Sequence, residues 1–225
     1  MTDKQIIRKV VVGSRLHDLY NEKSDYDYRA VHMSPLIDIL SPYKKNKNTD
    51  WIEGDVDNTS YELTEFCKMA TQGNMTIHEI LWSHKVLENT PIGEELFENK
   101  HKFCDSKRIF EASRGYASNQ LNKMNLHSPN DRTPKFMIAY IRVMQQGISF
   151  LNTGRLNCRI EANRDFLKEV KWNFKPELVP QATSIFQQLE KDIVKAYESN
   201  KEKMSPDIEW IEEFILKAYK GRRGV

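Results

Sequence analysis

The chain has 225 residues, enough for one large domain or two small ones. Hydrophobic residues make up 39% and charged residues 29%, with only 9 glycines, which excludes a disordered or fibrous chain and favours a helix-rich globular one. The formal net charge of +2 excludes a global field that would draw in nucleic acid.

Residues 6–12 form an apolar run, interrupted only by Arg8 and Lys9, and read as a buried strand. Gly13 and Ser14 make a turn into a short helical stretch. Residues 27–33 alternate and form a second strand, which Ser34 and Pro35 stop. The polar, lysine-rich stretch 42–50 reads as a mobile loop. Residues 56–60 read as a third short strand. Over 61–72 the apolar residues Leu63, Phe66, Cys67 and Ala70 fall at helical spacing, and Gly73 and Asn74 end that helix. Beyond it the pattern is almost wholly helical. Ile77, Ile80 and Leu81 share a face, and Pro91 suits a first helical position. Ser106 opens a helix to about residue 124, and Thr133 with Pro134 opens one to about residue 152. Asn163 caps a helix bearing Phe166, Leu167 and Val170, and 176–201 and 207–219 are amphipathic. This predicts an α+β fold: a small mixed sheet over residues 1–105, then a helical domain over 106–225.

The chemistry gathers at the start of the second strand. Side chains on a strand alternate, so Asp25 and Asp27 share one face and Tyr26 and Tyr28 the other. Two neighbouring carboxylates repel unless a cation lies between them, and Mg²⁺ takes one or two carboxylates plus substrate phosphates. Gly13 and Ser14 offer backbone N–H groups and a hydroxyl at a helix N-terminus, where phosphate binds. Arg15 is placed either to reach a triphosphate or to pair with Asp18 or Glu22.

These residues carry a resemblance. Gly13 and Ser14, a turn, then Asp25 and Asp27 resemble the signature of the nucleotidyltransferase superfamily, the DNA polymerase beta-like fold. More narrowly, the chain is similar to the RNA repair pathway DNA polymerase beta family, predicted nucleotidyltransferases of bacteria and phages. The matched positions are Ser24, Asp25, Asp27 and Arg29, then Tyr61, Glu62, Leu63 and Phe66, then Gly73, Asn74, Glu79, Ile80 and Leu81. Later come residues 114–117, Lys135, Arg142 and residues 154–156. The resemblance spans about three quarters of the chain. One departure is Asp18, where the family usually has glycine, so the turn is expected to differ and to carry a negative charge near the phosphates.

The resemblance implies an N-terminal nucleotidyltransferase palm and a metal-dependent transfer of a nucleoside monophosphate from an NTP to an acceptor hydroxyl. The acceptor is left open among a nucleic-acid end, a protein and a small molecule. Asp25 and Asp27 are expected to hold a two-metal Mg²⁺ site. Asp57 is the first choice for a third carboxylate, at the catalytic metal, with Asp55 second and Glu62 third. Gly13, Ser14 and Arg15 are expected at the phosphates. Lys135 and Arg142, seven residues apart and so on one helix face, are expected at the nucleotide, with Tyr140 beside them for the base. The exposed basic face remains the alternative for the lysine and arginine. Arg114 and Tyr116 read as structural, the arginine pinned to a carboxylate and the tyrosine in the core. Asp18 keeps a second function open: a nucleotide sensor or antitoxin-like protein on the same fold, without turnover.

Other features carry less. Any nucleic-acid patch would fall on Lys44, Lys45 and Lys47 or on Lys217, Lys220, Arg222 and Arg223, against the plainer reading of solvated charge. The cysteines Cys67, Cys104 and Cys158 fit reduced thiols, and the six histidines show no metal spacing, with most expected at or near the surface. The four tryptophans read as core or interface anchors. No signal-peptide pattern or membrane-length apolar run is evident, so a cytoplasmic protein without membrane contact is expected.

Overall fold

The computed structural model describes residues 4–43, 48–53, 56–125 and 132–221, with the backbone alone at 49–53, 56, 57 and 125. Strand β1 (Gln5–Val12) runs into the one-turn helix α1 (Gly13–Leu16), and β2 (Asp27–Met33) returns antiparallel to β1. A short helix α2 (Leu36–Leu40) follows, then β3 (Thr49–Glu53) and β4 (Val56–Glu62). Helices α3 (Leu63–Thr71) and α4 (Met75–Trp82) precede the edge strand β5 (Val86–Asn89) and α5 (Pro91–Glu98). The helical half comprises α6 (Ser106–Asn125), α7 (Thr133–Thr153), α8 (Arg164–Trp172), α9 (Val179–Asn200) and α10 (Ile208–Lys220).

The five strands lie in the order β3-β4-β2-β1-β5, mixed because β2 and β4 are parallel while the other pairs are antiparallel. The mixed sheet followed by helices is the expected α+β architecture. The strand at 49–53 lies partly in the stretch read as a loop, and α2 and β5 have no counterpart in the sequence reading. Each is only four or five residues long, too short for a period to stand out. The helix ends follow local chemistry. Gly73, at φ +73°, closes α3, and the Asn74 side chain caps α4 by accepting from the N–H groups of Thr76 and Ile77. At α6 the cap is Asp105, whose carboxylate accepts the Arg108 N–H at 2.9 Å. Ser106, expected there, instead donates its hydroxyl to the Asn200 carbonyl at the end of α9.

One hydrophobic core joins the two halves. Phe66, Ile77 and Ile80 from the sheet side pack in the same cluster as Met137, Ile141 and Phe150 of α7 and Ile193 of α9. Arg8 is 1% exposed, yet its guanidinium is met by carbonyls and an amide rather than a carboxylate: Ser83 O at 2.9 Å, Ile80 O at 3.5 Å and Asn89 Oδ1 at 3.3 Å. This clips β1 to the α4–β5 turn. The three cysteines are free and buried. Among the described residues no helix is long and apolar enough to cross a membrane. Trp82 packs edge-on against Phe150 and Trp210 stacks on Phe214, as anchors should, whereas Trp172 is 40% exposed; the Trp51 side chain lies outside the described residues.

Three histidines expected near the surface are buried: His17, His32 and His78. Each lies where its ring fills space and a polar atom finds an acceptor or hydroxyl. His78 Nε2 donates to the Ala70 carbonyl at 3.0 Å, and its ring packs edge-on to Phe150. Burial depresses the pKa of both His17 and His78 from 6.5 to about 4. The unfolded chain therefore binds more protons than the fold between about pH 6.5 and about 4. Stability should be full above that window and fall as pH drops through it, by up to ~1.4 kcal/mol per pH unit for each histidine. Denaturant melts at pH 7 and pH 5 measure the loss. The slope should be shallower in His78→Gln, and an unchanged slope would refute the assignment.

Candidate functional site

The Gly-Ser turn is fixed by the carboxylate it faces. Val12 pairs with Asp27 across the β1–β2 ladder, and Gly13 then enters the left-handed region at φ +65°. A Cβ at position 13 would lie 2.0 Å from Asp27 Oδ2 and 2.9 Å from its Cγ. The Asp27 carboxylate thus fills the space that any side chain at position 13 would need. Ser14 follows, half-buried, its carbonyl accepting the Leu19 N–H at 2.9 Å. Helix α1 is a single turn, so anion affinity here rests on turn amides and a hydroxyl more than on a helix dipole.

Asp25 is exposed just before β2, and Asp27 is half-buried at its first position. The Tyr26 and Tyr28 rings sit 6.0 Å apart, as the alternation predicts for side chains sharing a face. The charges of the two aspartates act on a residue the sequence reading missed. Lys171, on α8, has its pKa lowered by burial, a shift opposed by the charges of Asp25 and Asp27. Its ammonium therefore sits in the field of both carboxylates.

The third strand supplies the remaining acid. In the parallel β2–β4 ladder Asp57 is the direct partner of Asp27, so the backbone brings position 57 to the mouth of the site; its side chain, like Asp55 altogether, lies outside the described residues. Among the described residues no third acidic or imidazole donor joins Asp25 and Asp27. Glu62 is placed otherwise. It pairs with His32 at the far end of the ladder, caps α3 through the Thr64 and Glu65 N–H groups, and accepts the Tyr219 hydroxyl at 2.5 Å. It holds a helix end and is remote from the aspartates.

Arg15 pairs with neither Asp18 nor Glu22. Its Nε and Nη2 donate to the carbonyls of Asp25 (3.1 Å) and Ser24 (2.7 Å), and its guanidinium covers the Tyr26 ring at 3.7 Å. It pins the loop that presents the aspartates. Asp18 is paired instead with Arg159 at 3.1 Å and Arg164 at 2.5 Å. At φ 60° it takes the left-handed conformation in which glycine is at ease, and its charge is met by two guanidiniums. The α7–α8 connection locks this turn further. His17 Nδ1 donates to the Cys158 carbonyl at 2.9 Å, and the Ile160 N–H donates to the His17 carbonyl at 3.2 Å.

Arg142 and Lys135 separate in role. Arg142 is bonded to Glu79 and donates to Gln146 Oε1 at 3.1 Å, while His17 Nε2 lies 3.4 Å from the same Glu79 oxygen. Lys135 is exposed near the start of α7. Tyr140 is 2% exposed and donates its hydroxyl to Glu190 at 2.9 Å, so it packs in the core and offers no face to a base. Arg114 pairs with Glu190 at 3.1 Å, as a pinned arginine should, but Tyr116 is 38% exposed rather than core. The tail residue Lys217 is paired with Glu95 at 2.8 Å; Lys44, Lys45, Lys47, Arg222 and Arg223 lie outside the described residues.

The cations gather elsewhere. A cavity of about 220 Å³ beside the turn is lined by Arg15, Tyr20, His84, Lys85 and Arg159, among others. On α8, Arg164, Lys168 and Lys171 are half-buried at i, i+4 and i+7, one stripe of the helix. At 1.5 Å per residue this stripe spans roughly 10 Å, from Asp18 to the two aspartates. That spacing of basic residues was visible in the sequence and was the available signal for Lys171.

A glycine turn facing an aspartate at the end of the central strands of a mixed sheet, backed by a helical half, fits a nucleotidyltransferase-class protein. Residues 2–216 match the RNA repair pathway DNA polymerase beta family, and the chain belongs to that family. A comparison with curated proteins finds no match.

Gly13→Ala tests the turn. The added methyl must displace the Asp27 carboxylate and hold a non-glycine residue at positive φ, which costs roughly 1–2 kcal/mol. The variant should melt lower and lose the function of Asp27. A melt and a turnover both equal to wild type would refute the contact.

Proposed function

We propose that the protein is a Mg²⁺-dependent nucleotidyltransferase that moves a nucleoside monophosphate from an NTP to an acceptor hydroxyl and releases pyrophosphate. The observation that carries this reading is the Asp27 carboxylate seated against Gly13, with the Lys171 ammonium in the field of Asp25 and Asp27. The donor set suits a hard divalent ion: carboxylates alone, one exposed and one half-buried, open toward a turn rich in N–H donors. Asp25, Asp27 and, by register, Asp57 would hold it. When bound, Mg²⁺ supplies charge neutralisation at the phosphates and acidifies the acceptor hydroxyl.

The chain's own groups do the rest. The amides of Gly13 and Ser14 and the Ser14 hydroxyl receive the non-reacting phosphates. Lys171 places a positive charge where the triphosphate and the aspartates meet, its protonated form disfavoured by burial and favoured by the two carboxylates. The acceptor oxygen forms a bond to the α-phosphorus as the bond from that phosphorus to the bridging oxygen breaks. Pyrophosphate departs with those electrons, and Asp57 takes the hydroxyl proton. Little covalent help from the protein is needed, so alignment and charge carry the rate. The neutralised Asp18 removes the repulsion that favoured a sensor without turnover.

Pyrophosphate release with each of the four NTPs, Mg²⁺ and a cell extract as acceptor source tests the reading. Wild type should release pyrophosphate, and Asp25→Asn and Asp27→Asn should each lose roughly 100-fold or more. Tight NTP binding with no release from any acceptor would sink it. Lys171→Gln should slow turnover by about 10²-fold and reduce the salt dependence of NTP binding. Equal turnover in Lys171→Gln would remove the lysine from the site.

A further inference from the structure

A second cavity lies on the far side of Arg159 from the basic one. It has a volume of about 160 Å³ and is lined by Gln145, Gln146, Ser149, Asn157, Arg159 and Glu161, among others. Arg159 also lines the cavity beside the Gly-Ser turn, so one guanidinium forms a wall of both. The two cavities differ in chemistry. The one at the turn gathers Arg15, Lys85 and Arg159 and suits phosphate. The second balances one cation against Glu161 and is otherwise lined by amides, a hydroxyl, Ile160 and Ala162, which suits an uncharged group with polar edges and an apolar face.

Its two glutamine amides hold atoms without a partner among the described residues. Gln146 is 1% exposed; its Oε1 accepts from Arg142, which leaves Nε2 as a donor with no partner among the described residues. Gln145 buries both Oε1 and Nε2, again without a partner among the described residues. Burying such groups unmet costs free energy, so a native site that keeps three of them is expected to meet them with a bound group. Together they present two donors and one acceptor. A glutamine amide pairs in two-point fashion with the N6 and N7 edge of adenine. The cavity is several times the roughly 30 Å³ share of one water in the liquid.

We infer that this cavity is a nucleobase pocket, taking adenine edge-on against Gln145 and Gln146 while Arg159 faces the phosphate side. This rests on the transfer reading only in assuming that the base arrives on a nucleotide substrate. The base belongs either to the NTP or to the terminal nucleoside of a nucleic-acid acceptor; both present the same edge. Arg142 links the pocket to the turn, since it joins Gln146 to Glu79 and Glu79 lies against His17.

Binding titrations of the full-length protein with ATP, GTP, CTP and UTP, and separately with a short oligoadenylate and oligouridylate, test it. Asp25→Asn protein with Mg²⁺ is used so that no turnover intervenes. One adenine ligand, ATP or the oligoadenylate, should bind more tightly than its counterparts, and the arm that shows the preference identifies the source of the base. Gln145→Leu in the same background should reduce that preference roughly tenfold or more without lowering the melting temperature, because an unmet amide is replaced by an apolar group of similar size. Ser149→Met, which fills the cavity from α7 without touching either amide, should do the same and serves if Gln145→Leu does not fold. Absence of any adenine preference in Asp25→Asn, or a preference unchanged in a folded cavity variant, overturns the inference. Adenine preference without pyrophosphate release by the wild type would instead sink the transfer reading and leave the pocket standing.

Discussion

Position 13 cannot carry a side chain because the carboxylate of Asp27 already occupies that space. The rest of the site follows from this contact. It requires the β1–β2 register that pairs Val12 with Asp27, and the β2–β4 register that pairs Asp27 with Asp57. A slip of one residue would turn Asp27 to the opposite face and set a tyrosine against the turn. The turn, the aspartate pair and the head of β4 are thus one geometric unit, held by three neighbouring strands.

The other side of that unit is held by the helical half. Between α7 and α8 the chain runs extended, with Arg155, Asn157 and Arg159 outward and Leu156, Cys158 and Ile160 buried. The inward side chains anchor the segment in the core. Its backbone then exchanges bonds with His17, and Arg159 and Arg164 close on Asp18. A non-glycine residue at positive φ costs about 1–2 kcal/mol, and two guanidiniums on a partly buried carboxylate are of the size needed to offset it. The aspartate at this turn ties the sheet to the helices, a task glycine could not perform.

The elements legible in the sequence are those with a long period or a strong punctuation mark. β1 reads as an apolar run broken only by Arg8 and Lys9, α7 opens at Thr133 and Pro134, and Gly73 and Gly154 stop helices in the left-handed conformation. The elements missed are α2, β3 and β5, each too short for a period to show; β3 and β5 take their conformation from pairing with β4 and β1. The site divides in the same way. Gly13, Asp25 and Asp27 lie within one local motif, and spacing alone placed them. Lys171 and Arg159 reach the site from beyond residue 150, and no local pattern states where a distant helix will land.

Arg142 and Lys171 make the point from opposite directions. Both are cations on helices of the second half, and their immediate sequence does not tell them apart. Arg142 meets Glu79, an acid buried at 6% side-chain exposure, and the two neutralise each other inside the protein. Lys171 lies in the field of two acids, one exposed and one half-buried, whose charges oppose the lowering of its pKa by burial. A cation satisfied by a buried acid has little left to offer a ligand, whereas one sharing an open field with two carboxylates is placed to balance added phosphate. The near-neutral chain thus needs no overall positive charge to attract a nucleotide. Around the turn Arg159 is held by Asp18 and Lys85 donates to the Arg15 carbonyl at 2.6 Å, whereas Lys171 stands in the field of two carboxylates.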